Sequence, residues 1–198
     1  CSSDLFGGVE NLSLIPGTVG ASPIQNIGAY GVELKDSLFS LRALDIVEKD
    51  WLVFSNKDCD FGYRTSVFKT TLKGRVVVTS ATFRLTKTNH RLHLEYGAIP
   101  AQLALNGVSS PSIRDVSDAV VAIRSSKLPD PHKLGNAGSF FKNPIVNKIL
   151  FDKLKLQFPD IVANETAEGY KLAAGWLIEK AGWKGHRQGD AGCYNKQA

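Results

Sequence analysis

Gly74-Arg75-Val76-Val77-Val78-Thr79-Ser80-Ala81-Thr82-Phe83-Arg84-Leu85 is the stretch on which the fold reading turns. Three consecutive valines, followed by Thr79 and Thr82, favour a pleated strand, because β-branched side chains lose freedom in a helix and pack well on a sheet. Phe83 and Leu85 fall on one face of that strand, and Thr82, Arg84 and Thr86 on the other. Upstream, Trp51-Leu52-Val53-Phe54 predicts a short strand, and Ser37 to Asp45 alternates imperfectly, with Leu38, Leu41 and Leu44 apolar. Downstream the character changes near residue 110. Ser109-Ser110-Pro111-Ser112 is a helix-start signal, after which Ile113, Val116, Val120 and Ile123 recur at helical spacing. Leu128-Pro129-Asp130-Pro131 breaks that helix. Ile145 to Gln157 predicts a second helix, with Ile149, Leu150, Leu154 and Leu156 apolar. Tyr170 to Ala181 predicts a third, carrying Leu172, Ala173, Trp176 and Leu177 and stopped by Gly182. Strands first and helices after give an α+β class, with a division near residues 105–112.

The 198 residues are enough for one or two compact domains, and 43% apolar with 22% charged residues is ordinary globular composition. No apolar run approaches the ~20 residues that span a bilayer, and the first residues lack a basic start and an apolar stretch, so neither a membrane span nor a signal peptide is in view. The chain has no Met, and Tyr194-Asn195-Lys196-Gln197-Ala198 offers no terminal cap, which predicts an internal segment of a longer protein. Cys1, Cys59 and Cys193 are odd in number and show no CxxC spacing, favouring a reduced cytoplasmic protein over a disulfide framework or a zinc site. His90, His93, His132 and His186 match no metal-ligand spacing, so no metal is expected. The net charge of +5 is uneven: residues 1–60 hold 4 Lys/Arg against 9 Asp/Glu, and the remainder holds 20 against 10. A basic second part suits a nucleic acid, a phosphorylated small molecule or only solvent.

Three segments could carry chemistry. Residues 16–31 are rich in Gly but hold interleaved apolar residues, so a packed loop is expected rather than a linker. The loop matches neither GxGxxG nor a P-loop, and ligand binding and a structural turn stand as even alternatives. Phe61-Gly62-Tyr63-Arg64 could hold a carboxylate by a bidentate guanidinium with a phenol beside it, or be a surface Arg next to a half-buried Tyr. Gly135-Asn136-Ala137-Gly138-Ser139-Phe140-Phe141-Lys142-Asn143-Pro144 sets a Ser between a Gly and two aromatics, without the GxSxG pattern of a hydrolase.

Taken together and in order, these strings resemble the MurB reductase family. Leu14-Ile15-Pro16-Gly17-Thr18-Val19-Gly20-Ala21-Ser22-Pro23-Ile24-Gln25-Asn26-Ile27-Gly28-Ala29-Tyr30-Gly31 is similar to that family's flavin-contacting loop. Cys59 to Lys69 is similar to its Tyr-Arg segment, Asn136 to Pro144 to its serine loop, and Lys171 to Glu179 to a helix of its substrate domain. The likeness runs from about residue 7 to Gln197.

The resemblance implies that residues 1–104 are most of the second lobe of a vanillyl-alcohol-oxidase-like flavin-binding domain, and 105–198 most of a smaller α+β substrate-binding domain. It implies FAD as cofactor and NADPH as co-substrate, with UDP-N-acetylglucosamine enolpyruvate reduced to UDP-N-acetylmuramate for bacterial peptidoglycan. Arg64 would clamp the substrate carboxylate with Tyr63 beside it, and Ser139 would supply a proton. Tyr96, Lys127, Asn143 and Gln197 would bind the nucleotide. Pro16, Gly17, Gly20, Ser22, Ile24, Gly28 and Tyr30 would contact FAD. A cytoplasmic bacterial monomer without nucleic-acid or membrane partners is implied, and the N-terminal lobe and a C-terminal catalytic glutamate would lie outside this chain. Another flavin oxidoreductase, or a non-catalytic sugar-nucleotide-binding fragment, is the alternative.

Overall fold

The computed structural model describes residues 6–197, so Cys1 lies outside the described residues. The chain forms two compact units, Cys1–Arg124 and Ser125–Ala198. Both mix helix and antiparallel sheet, giving the expected α+β class.

In the first unit a small hairpin, β1 (Gly28–Ala29) and β2 (Val32–Glu33), precedes a three-stranded sheet of β3 (Leu38–Asp45), β4 (Trp51–Ser55) and β5 (Val76–Phe83). The order is β4-β3-β5, all antiparallel, with Leu41 opposite Phe54 on one side and Ala81 on the other. All three strands predicted from the sequence are present. The imperfect alternation of β3 has a cause: its register against β5 shifts between Leu38 and Ser40 and again between Arg42 and Ala43. The first shift places an extra residue, Phe39, in β3 and lets Leu38 share the buried face of Leu41 and Ala43, whereas the second places its extra residue, Thr79, in β5. That face forms a core with Leu34, Cys59 and Phe68, against which Ile24, Ile27 and Phe61 pack. The opposite face exposes Val53, Val77 and Trp51, with the Arg42 guanidinium 4.1 Å above the Trp51 ring.

Two helices complete this unit. α1 (Ile99–Leu105) was not anticipated, and it carries Pro100. The proline sits in the first turn, where no intrahelical N–H is needed. α2 (Ile113–Lys127) begins where expected: Ser112 Oγ accepts from the Asp115 N–H, and the Asp115 carboxylate accepts from the Ser112 N–H. Ala119, Val120 and Ile123 pack with Ile99 and Leu103, with Tyr30 and Leu94 against them, and Val116 is buried as well. This packing carries the unit past residues 105–112, so the division between compact units falls in the last turn of α2.

The second unit corrects two helix predictions. Residues 145–157 split into β6 (Ile145–Val146) and α3 (Lys148–Gln157), separated by Asn147, whose side chain accepts from the Leu150 N–H and sets the helix start. β7 (Ala163–Thr166) and β8 (Gly169–Leu172) follow, then α4 (Ala174–Lys180). Tyr170, Lys171 and Leu172, predicted helical, form the central strand of a β6-β8-β7 sheet. Four residues give too little periodicity to separate strand from helix. Tyr170 stacks on Phe151 of α3, with centroids 4.0 Å apart, and Phe151, Leu172 and Ala174 are the buried apolar residues of this unit among the described residues. Leu156 and Ile149, predicted as part of an apolar helix face, are exposed, so only one edge of α3 is used. A two-strand ribbon, β9 (Arg187–Gln188) with β10 (Ala191–Gly192), ends the unit.

Candidate functional site

The Gly-rich loop is a packed loop rather than a linker. Ser22 is buried and its hydroxyl donates to the Val19 carbonyl at 2.6 Å, closing the turn around Gly20. Ile24 and Ile27 enter the sheet core, and the buried Ser66 donates to the Ile24 carbonyl at 2.6 Å. A Cβ on Gly20 would stand 3.0 Å from the Val78 carbonyl of β5, so the loop lies as close to the sheet as backbone allows. Pro16 to Val19 face outward. Gly17 has φ +111 and nothing within 4 Å of where a side chain would be. Of the residues expected to touch cofactor, Pro16 and Gly17 are therefore open, whereas Ser22 and Ile24 turn their side chains inward.

Arg64 stands at the tip of a tight turn in which Gly62 and Thr65 exchange backbone hydrogen bonds. It is held in the left-handed region at φ 55, where a non-glycine residue costs about 1–2 kcal/mol. Its guanidinium donates to the Gly28 carbonyl and to the Asn26 carbonyl at 3.5 Å, and one nitrogen lies 3.6 Å from a Glu33 carboxylate oxygen. Tyr63 lies under it, with 5.3 Å from guanidinium carbon to ring centroid. Asn26 and Tyr30 are also left-handed, at φ 45 and 49. Strain of this kind persists only where the surroundings over-determine it.

A second meeting point involves Tyr30 and Tyr96, whose rings meet edge-to-face at 6.5 Å, while Gly31 packs on Tyr96. Burial pushes the Tyr30 phenol up from its ordinary value, against the opposing charge and hydrogen bond of Arg124. Arg124 also donates to the Leu14 carbonyl at 3.3 Å, tying α2 to the start of the loop.

The first unit thus brings the predicted Gly28, Tyr63 and Arg64 together, and Tyr30 with Tyr96. Lys127, Ser139, Asn143 and Gln197 belong to the second unit. There Ser139 is exposed in a run without regular structure, following Gly138 at φ +67. Asn143 has a structural duty as well, because its Oδ1 accepts from the Ala174 N–H at 2.9 Å and caps α4. Lys127 ends α2 and is exposed, as is Gln197.

Asn26, Glu33 and Arg124 were not singled out from the sequence. A buried Asn inside a glycine loop was the available signal for the first. The other two are recognisable only from contacts formed across long stretches of chain.

Residues 130–198 match the family described as UDP-N-acetylenolpyruvoylglucosamine reductase, C-terminal domain. The chain is 53% identical over 194 residues to the UDP-N-acetylenolpyruvoylglucosamine reductase of Flavobacterium johnsoniae, covering 98% of this chain and 58% of that protein. It is 56% identical over 193 residues to the reductase of Bdellovibrio bacteriovorus, covering 98% and 57%. The chain therefore spans little more than half the length of these relatives. Among solved structures, that of the reductase from Thermus caldophilus superposes with a TM-score of 0.60 at 23% identity, over 97% of this chain and 52% of that one, a likeness of fold.

Proposed function

We propose, for a chain that belongs to the UDP-N-acetylenolpyruvoylglucosamine reductase family, that it is the part of such an enzyme that holds the flavin and clamps the substrate carboxylate. The full protein would reduce UDP-N-acetylglucosamine enolpyruvate to UDP-N-acetylmuramate with NADPH, in the bacterial cytoplasm, as a monomer. Residues 1–104 would serve the cofactor and 105–198 the substrate.

The Gly-rich loop suits FAD. Its outer rim at Pro16 to Val19 is exposed, and the open space beside Gly17 lets a diphosphate approach the backbone N–H groups. Gly28 and Tyr30 would form its inner end. Ser22 and Ile24 would contribute through their backbone. When bound, the flavin supplies the hydride.

The chain's own residues supply the rest. Hydride addition to the terminal carbon of the enol ether places negative charge on the neighbouring carbon and its carboxylate. Arg64, a fixed cation with a planar fork, stabilises that charge as it develops, and Tyr63 supports the guanidinium. Ser139 donates a proton to the carbon bearing the carboxylate, so the C=C bond becomes CH3–CH and the substrate gains one hydride and one proton. Lys127 and Tyr96 would bind the diphosphate, and Asn143 and Gln197 the uridine portion.

The observation that carries this reading is Arg64, held in strained backbone on the edge of a Gly-rich loop. In the full-length protein, Ser139→Ala should leave NADPH-driven flavin bleaching within about twofold of wild type and slow flavin reoxidation by the enolpyruvyl substrate by about 100-fold or more. Equal loss in both half-reactions would remove Ser139 from the proton-donor role.

A further inference from the structure

We infer that Glu33 is a positioning residue that holds the Arg64 guanidinium in its working orientation, an inference that rests on the carboxylate-clamp reading of Arg64. Four observations meet at this side chain. Its Oε1 lies 3.6 Å from an Arg64 nitrogen. Its Oε2 accepts from Asn26 Nδ2 at 3.0 Å and pairs with Lys35 at 3.1 Å. Asn26 is fully buried, and its amide is spent on Glu33, on the Gly62 carbonyl at 3.2 Å and on the Lys35 N–H at 3.0 Å. The carboxylate is thus anchored through Asn26 to the same turn that carries Arg64, it also accepts from the Asp36 N–H, and its Oε1 makes the contact with the guanidinium. Finally, Gly28 leaves the room: a Cβ there would stand 2.7 Å from Arg64 Nη1 and 3.0 Å from Glu33 Cγ.

Among the described residues the guanidinium also donates to the carbonyls of Gly28 and Asn26 and lies over the Tyr63 ring, all of them neutral. Glu33 is the one carboxylate paired with Arg64 among the described residues. At 3.6 Å the contact is a loose ion pair, not a bidentate fork. It fixes the direction of the cation while leaving donor capacity for an incoming carboxylate. A fork already closed on Glu33 would compete with the substrate, and without an acidic partner the guanidinium would be held by neutral groups alone. A carboxylate anchored by other partners and only loosely paired with the guanidinium avoids both.

The test is a double-mutant cycle in the full-length, FAD-loaded enzyme, using Glu33→Gln, Arg64→Lys and the pair. The measurements are flavin reduction by NADPH, flavin reoxidation by the enolpyruvyl substrate, and the thermal midpoint of each variant. Glu33→Gln should slow reoxidation about tenfold, with flavin reduction within about twofold of wild type. Combined with Arg64→Lys, it should add no further loss, because both changes spoil the same cation. Normal reoxidation in Glu33→Gln would overturn the proposal, as would losses that multiply in the pair. If Arg64→Lys alone reoxidises normally, the clamp reading fails and the role of Glu33 falls with it. That outcome is distinct from a normal Glu33→Gln beside a crippled Arg64→Lys, which rejects Glu33 alone. Should Glu33→Gln not fold, Glu33→Asp carries the same cycle, since it keeps the charge and withdraws it by one methylene.

Discussion

Replacing Gly28 by Ala would add one methyl group at the most crowded point of the candidate site. Its Cβ would stand 2.7 Å from Arg64 Nη1, 2.9 Å from the Val32 carbonyl oxygen and 3.0 Å from Glu33 Cγ. Ordinary contact needs roughly 3.4–4 Å, so each neighbour must retreat by about half an ångström or more. The arginine tip can do so. The Val32 carbonyl cannot readily, because β2 is paired with β1 and Ala29 lies opposite Val32. Overpacking of this kind costs about 1–3 kcal/mol. Gly28 is not in the left-handed region, so the backbone itself accepts Ala, and the penalty is one of space alone. Gly17→Ala supplies the converse: no atom lies within 4 Å of the new methyl group, but φ is +111. Its cost is conformational, again about 1–2 kcal/mol. Urea unfolding should find both variants destabilised to a similar degree, and the Arg64 side-chain NH signal in a 15N spectrum should separate them, moving in Gly28→Ala and staying in Gly17→Ala. A Gly28→Ala protein with unchanged stability and an unmoved Arg64 signal would refute the crowding argument.

Two further outcomes concern the framework. Asp45 is buried at the end of β3. Desolvation pushes its carboxyl up, but the N–H groups of Glu48 and Val47 and the Arg75 guanidinium outweigh it, so the folded value lies below the ordinary one. A depressed carboxyl contributes stability above its unfolded pKa, near 3.9, and loses it as pH falls through the folded value. Melting temperatures between pH 7 and pH 3 should therefore fall less steeply in the acid range for Asp45→Asn than for wild type, and parallel curves would contradict this role. Asn147→Ala should cost about 1 kcal/mol by removing the cap of α3, read as a lower urea midpoint with an unchanged slope.

The strands of the first unit were legible because Val76 to Val78 and Trp51 to Phe54 carry dense β-branched and aromatic side chains. The start of α2 was legible because capping is local: Ser112 and Asp115 are three residues apart. What escaped was decided at long range. Tyr170 to Leu172 became a strand because Ile145–Val146 and Ala163–Thr166 lie on either side, information that a four-residue window does not hold. α1 escaped because the meaning of Pro100 depends on whether it stands inside a helix or at its first turn. Arg64 was recognisable as a candidate from its neighbours in sequence. Its supports were not, since Glu33 and Arg64 approach only after the loop folds back onto the turn.

The pairing of β3 with two partners has a consequence for how the chain assembles. β4 follows β3 through a short turn, whereas β5 must return from beyond residue 75 to set Ala81 against Leu41. Loop closure becomes costlier with length, so the hairpin is the first pairing to form and the second closure is the slow one. Until β5 arrives, one whole edge of the central strand offers unpaired N–H and C=O groups to any neighbouring chain, and during synthesis or refolding that interval, rather than the finished fold, is when the molecule is most prone to stick.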